Sequence, residues 1–155
     1  MAKNCLLVSA GWLLTVKEDR ECREGWAFLI DDGTITDIGP RKDLNAKYST
    51  SDKLALNEHI VCPGLINCHN HAAMKLMRGL GQGLNLDDWL HQAIWPFEKE
   101  HLDAPTVGLG AELAMVEMLM SGITTFSDMY FFPETVASVA ERLSLNIQLA
   151  VPIIS

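Results

Sequence analysis

The chain has 155 residues, 48% of them hydrophobic and 21% charged, with a formal net charge of −8 and a pI near 5.0. That make-up belongs to an ordinary globular protein and excludes a disordered chain. An acidic balance without any basic cluster also argues against nucleic acid or an anionic membrane surface as a partner.

From Cys5 to about Cys62 the pattern is one of strands and turns. LLVSAGWLLTV and GWAFLIDDGTITDIG are β-rich runs, and Asp32-Gly33 is the two-residue signal of a tight hairpin. RKDLNAKY supplies one or two helical turns before a further strand over Leu54 to Val61, and Pro63-Gly64 closes the region. Residues 1–62 are therefore expected to hold a small antiparallel sheet.

Beyond Gly64 strands and helices alternate. Leu65 to His69 reads as a buried strand. A helix begins in NLDDWLHQAIW and is expected to stop around Pro96. The next runs from an Asp103 cap, with Pro105 in its first turn, to Ser121, and Gly122 stands where a C-cap glycine belongs. ITTFSD is the second strand, PETVASVAERL the next helix and IQLAVPIIS the third strand. This alternation predicts a parallel sheet with right-handed crossovers over residues 63–155. Parallel sheets are buried on both faces, yet the sequence stops at Ser155 on a strand without its covering helix, so a fragment is expected.

Cys5, Cys22, Cys62 and Cys68 have neither C-x-x-C spacing nor the density of a disulfide-stapled secreted domain, and read as reduced core thiols of a cytoplasmic protein. Lys3 and the apolar run after it have the outline of a signal peptide, but no small-x-small cleavage site precedes KEDRE. No other stretch approaches the roughly 18 apolar residues of a membrane span.

Leu65 to His71 reads LINCHNH. On a strand, residues i and i+2 share a face, so His69 and His71 are expected to project together from the C-terminal end of the first parallel strand, where barrel enzymes place their chemistry. Two neutral imidazoles so placed can close on one transition-metal ion, at about 2.0 to 2.1 Å each, and provide two of the four ligands a zinc site normally has. The bare pair does not by itself establish a site. His59, His91 and His101 lie in polar stretches and read as surface residues.

PGLINCHNHAAMKLMRG, DDWLHQAIWPFEKEH and SGITTFSDMYFFPE resemble the metal-dependent amidohydrolase superfamily, and within it the 5-methylthioadenosine/S-adenosylhomocysteine deaminase and chlorohydrolase-like branch. The resemblance runs over nearly the whole chain. It implies an α/β fold in which residues 63–155 are the first three strands and intervening helices of an incomplete (β/α)8 TIM barrel, and residues 1–62 are part of a small β-sandwich. It further implies one divalent metal ion, zinc before iron, held by His69 and His71, which match the family's first two ligands. The family's later ligands and its acid–base glutamate and aspartate have no counterpart here, so no catalytic residue is assigned. The implied activity is hydrolytic deamination of an adenosine-type substrate, such as 5′-methylthioadenosine or S-adenosylhomocysteine, by metal-activated water. Guanine or cytosine deamination and triazine hydrolysis are alternatives within the superfamily, and an inert fragment that needs the missing strands is a reading of another class. The implied partner is a small purine nucleoside, with homo-oligomer formation left open.

Glu98, in IWPFE, is by default a solvated glutamate near a helix end. By resemblance it aligns with a glutamate that accepts hydrogen bonds from the ribose hydroxyls, a role that favours a nucleoside over a triazine. Trp89 and Trp95 fall near helical spacing and fill core by default, with Trp89 kept as a candidate purine contact. Asp128 ends the second strand, where a barrel carboxylate can reach the site or bond the next loop. Met74, Met77, Met115, Met118 and Met120 read as core. GLGQG lacks the lysine of a phosphate loop and reads as a flexible turn.

Overall fold

Apolar alternation carries the first strand, β1 (Cys5–Leu14), whose Leu7, Val8, Ala10 and Leu13 are buried. The computed structural model describes residues 5–16, 21–49 and 51–152. Within these the chain divides into two units, Met1–Pro63 and Gly64–Ser155.

In the first unit β1 pairs antiparallel with β2 (Cys22–Glu24) through Trp12 to Leu14 and with β3 (Trp26–Asp31) through Cys5 to Ser9. Asp32 and Gly33, at φ +50° and +75°, connect β3 to β4 (Thr34–Pro40). Two successive positive φ values are what the tight hairpin read from Asp-Gly requires. The helix α1 (Arg41–Lys47) buries Leu44 against Leu7, Ala27 and Leu29. One expectation is corrected here, because β5 (Asp52–Val61) lies parallel to β1 and the sheet is mixed. A parallel return needs a crossover longer than a hairpin, which α1 supplies.

In the second unit β6 (Leu65–Asn67), β7 (Ile123–Met129) and β8 (Asn146–Ala150) form a parallel sheet in chain order. A 3₁₀ helix (Ala72–Met77), α2 (Leu86–Trp89), a π-helical turn (Leu90–Ile94), α3 (Trp95–His101) and α4 (Ala104–Met120) lead from β6 to β7, and α5 (Pro133–Arg142) leads on to β8. Phe126 of β7 anchors the core between Val107, Ala111 and Met115 of α4 and Val136 and Val139 of α5. Burying a side chain of that size contributes roughly 1.5–3 kcal/mol. Asp103 caps α4 by accepting the Thr106 N–H at 2.8 Å, Pro105 lies in its first turn, and Gly122 follows at φ +80°. All three agree with the sequence signals.

Several expectations give way. β6 stops at Asn67 and not at His69, because the Asn67 side-chain oxygen accepts the His69 N–H at 3.2 Å and the chain turns out of the ladder. Pro96 does not end its helix. The π turn closes with the Trp95 N–H donating to the Leu90 carbonyl five residues back, so Pro96 falls in the first turn of α3, where a missing N–H costs little, and the helix continues to His101. Met115 and Met118 are buried, but Met120 is 84% exposed. At 100° per residue it lies on the far side of α4 from both. Cys22, Cys62 and Cys68 are exposed and so are not core thiols, while Cys5 is half-buried. The run after Arg78 is a string of turns with Gly79, Gly81 and Gly83 at positive φ. The end of the expected third strand, residues 153–155, lies outside the described residues, as do Lys3 and most of KEDRE. No helix among the described residues is long and apolar enough to cross a membrane.

Candidate metal and substrate site

The chain leaves β6 at Asn67 and β7 at Met129, at the same end of the parallel sheet. His69 and His71 lie on the connection after β6, so the turn at Asn67 brings them together and not strand periodicity. Their ring centroids are 5.4 Å apart and the rings meet edge to face at 77°. Nδ1 of His71 is 2.7 Å from the Met129 carbonyl oxygen. A carbonyl only accepts, so Nδ1 carries the proton and donates it, and Nε2 keeps the lone pair that a metal ligand needs.

Asp128 is 1% exposed. Its Oδ1 accepts the Ala72 N–H at 2.9 Å, which pins the residue directly after His71. Of the two roles the sequence leaves open for Asp128, reaching the site or bonding the next loop, this bond makes neither loop contact after β7 nor a ligand contact, but joins the connection after β6 beside His71. Burial pushes the Asp128 carboxyl above its ordinary range, opposed chiefly by the hydrogen bond from the Ala72 N–H. Its Oδ2 is buried with no hydrogen-bond partner among the described residues. For a divalent ion, the two imidazoles, one with its tautomer set by Met129, fit as the first two donors. No cluster of three or more His, Cys, Asp or Glu side chains joins them among the described residues.

A cavity of about 290 Å³ opens beside the pair, lined by His71, Met74, Trp89, Trp95, Glu98 and Tyr130 among others. His71, Glu98 and Trp89 therefore share one space, while His69 is not part of its lining. Glu98 is half-buried and accepts the Tyr130 hydroxyl at 2.6 Å on Oε1. Burial, and then the Glu98 carboxylate, push the Tyr130 phenol far above its ordinary range, so it stays a donor. Trp89 donates Nε1–H to the Leu80 carbonyl at 2.9 Å, which fixes its ring against the glycine-bearing turns. A larger opening of about 630 Å³, around Glu112 and Arg142 between α4 and α5, holds none of these groups. His59, His91 and His101 are exposed, as expected; His91 and His101 also stand beside the Asp87 and Glu100 carboxylates and touch the Trp95 and Phe97 rings, at 4.4 and 4.7 Å between ring centres. Sequence reasoning missed Tyr130. Its only local signal is its place in DMYFF, directly after the strand that ends beside the histidines.

A parallel α/β sheet with paired histidines at the exit of its first strand is the class of protein to which these features point. Residues 60–155 match the amidohydrolase family, and the chain belongs to that family. It is 43% identical over 149 residues to the 5-methylthioadenosine/S-adenosylhomocysteine deaminase of Saccharophagus degradans, an alignment covering 96% of this chain and 33% of the relative. It is 37% identical over 145 residues to the 5′-deoxyadenosine deaminase of Methanosarcina mazei, covering 94% and 32%. Among solved structures it superposes on an adenosine deaminase from Xanthomonas campestris with bound zinc, with a TM-score of 0.89, 30% identity and coverage of 92% and 32%. The chain thus spans about a third of the length of these relatives.

Proposed function

We propose that the chain supplies the first part of the active site of a metal-dependent hydrolase that deaminates an adenosine-type nucleoside, with His69 and His71 as metal ligands and Glu98 as the acceptor of the substrate's sugar hydroxyls. The observation that carries this reading is the meeting of His71, Trp89 and Glu98 on one cavity, with the His69 ring 5.4 Å from that of His71. The names of the three relatives given above, each an adenosine-type deaminase, support the substrate class. Zinc is the first expectation for the ion because the Xanthomonas campestris structure carries it, with iron second. On the same reading β6, β7 and β8 begin a (β/α)8 barrel over residues 63–155, and residues 1–62 belong to a small β-sandwich.

The chemistry such an ion supplies when bound is a water whose pKa falls from 15.7 toward about 7. Positioning falls to the side chains and backbone of this chain. Met129 holds His71 in one tautomer through its carbonyl. Asp128 holds the Ala72 amide, and with it the turn that carries the histidines. Glu98 accepts hydrogen bonds from the sugar hydroxyls, and Trp89 offers an aromatic wall for the purine.

The test uses the intact protein. His69→Ala and His71→Ala are each expected to reduce bound metal from about one ion per chain to a trace, read by elemental analysis. Ammonia release is expected from 5′-methylthioadenosine, S-adenosylhomocysteine or 5′-deoxyadenosine, with neither ammonia released from guanine or cytosine nor chloride from a chlorotriazine. Full metal content in both variants would remove the ligand assignment, and turnover confined to the second group would remove the substrate class. The 155-residue chain by itself is expected to turn nothing over, because two imidazoles alone hold a divalent ion weakly.

A further inference from the structure

Tyr130 and Glu98 belong to different elements, the exit of β7 and the helix α3, and meet through one hydrogen bond of 2.6 Å. An ionised carboxylate only accepts, so the phenol donates its one O–H hydrogen bond to Glu98 Oε1. The terminal torsion of a glutamate is broad and roughly two-fold, and nothing in the residue itself selects an orientation for its carboxylate. The Tyr130 ring can select one, because it is 6% exposed and braced edge-on by Phe131, 5.4 Å away between centroids. No other hydrogen bond engages the Glu98 carboxylate among the described residues, which leaves Oε2 to accept from a ligand in the cavity that Glu98 and Tyr130 both line.

We propose that Tyr130 is a positioning residue that fixes the Glu98 carboxylate by holding Oε1, so that Oε2 is presented to the vicinal hydroxyls of the substrate's sugar. This inference rests on the reading of Glu98 given above. It assigns to Tyr130 a discrimination between a ribonucleoside and its 2′,3′-dideoxy counterpart, since only the former has protons to give to the held oxygen.

The experiment measures KM and kcat on the intact protein for an adenosine-type ribonucleoside and the matching 2′,3′-dideoxynucleoside. Tyr130→Phe keeps the buried ring and removes the donor. It is expected to raise KM for the ribonucleoside about tenfold, the size of one lost hydrogen bond to a charged group. Its kcat and its KM for the dideoxynucleoside are expected to stay within about twofold of wild type. Equal changes for the two nucleosides, or no change for either, would overturn the proposal.

Glu98→Ala separates this proposal from its premise. If Glu98→Ala leaves the preference for the ribonucleoside intact, the reading of Glu98 fails and the proposal falls with it. If Glu98→Ala erases the preference while Tyr130→Phe leaves it unchanged, only the role of Tyr130 fails. Should Tyr130→Phe not fold, Glu98→Gln gives an independent reading. With the new amide oxygen held by Tyr130, the amide NH₂ group faces the sugar and the preference drops about tenfold. With no such hold the amide turns its oxygen to the hydroxyls, so a preference kept within about twofold would overturn the proposal.

Discussion

Gly81 sits where a single added carbon has two costs. Its φ is +67°, and a Cβ there would stand 2.8 Å from the Ala93 Cβ and 2.9 Å from Trp89 Cδ1. The first costs any L-residue about 1 kcal/mol, and forcing carbon into packed space costs typically 1–3 kcal/mol. Gly33 in the β3–β4 hairpin has a similar φ, +75°, with nothing within 4 Å of the added atom. Gly81→Ala is therefore expected to lower stability by about 2–4 kcal/mol, and Gly33→Ala by only about 1 kcal/mol. Denaturant titration of the two variants checks the difference, and equal losses would mean that Trp89 and Ala93 simply move aside. Because Trp89 lines the cavity, the Gly81 variant is also expected, on the proposed function, to bind nucleoside more weakly.

At the scale of elements, the 3₁₀ helix and the turn after it are tied to α4 through one carboxylate. Arg78 reaches both oxygens of Glu117 at 2.7 Å, and Lys75 forms a second ion pair with it. The Lys75 and Arg78 hydrogen bonds hold the Glu117 carboxyl below its ordinary value of 4.5. A depressed folded-state pKa gives stability that is present above the unfolded value and lost as pH falls through the folded one. Glu117→Gln is thus expected to lie below wild type in its urea midpoint at neutral pH and to converge with it on acidification below 4.5. The gap is small because these side chains are largely solvated. A gap that stays constant as pH falls would assign the loss to packing and not to charge.

The same scale separates what the sequence made legible from what it did not. Asp103, Gly122 and the Asp32-Gly33 turn each act within about four residues, so their local chemistry could be read directly. The histidine pair was legible as a pair, but for the wrong geometric reason, because the strand ends two residues early under the pull of the Asn67 side chain. Pro96 was misread since a π turn has no residue signature and moves the proline from a helix interior to a helix start. The parallel pairing of β5 with β1 and the bond from Tyr130 to Glu98 join residues far apart in the chain, which no local pattern encodes. Family resemblance alone singles out Glu98, and Tyr130, which donates a hydrogen bond to it, carries no local signal beyond its place in DMYFF.

At the scale of the whole molecule, apolar surface is left uncovered in the second unit. Leu109, Leu113, Val116 and Met120 recur at intervals of four, three and four along α4 and are all exposed, Leu109 at 61% and Met120 at 84%. That spacing puts them on one stripe of the helix. Ile66 on β6, a strand at the edge of its sheet, is 67% exposed. Contiguous apolar surface and an open strand edge both favour association over a dispersed monomer. The 155-residue chain studied alone is accordingly expected to sediment with a mass that rises with concentration over the micromolar range, about 1 to 100 μM, where such surfaces associate. Introducing charge on the stripe, with Leu109→Lys and Met120→Lys together, is expected to shift that curve toward the monomer without altering the helical circular dichroism, because neither side chain contributes to the buried core. A wild-type chain that stays monomeric throughout would show that these residues are tolerated in water as they stand. A double variant that associates as strongly as wild type would locate the adhesive surface elsewhere, with the β6 edge as the next place to charge, through Ile66→Lys.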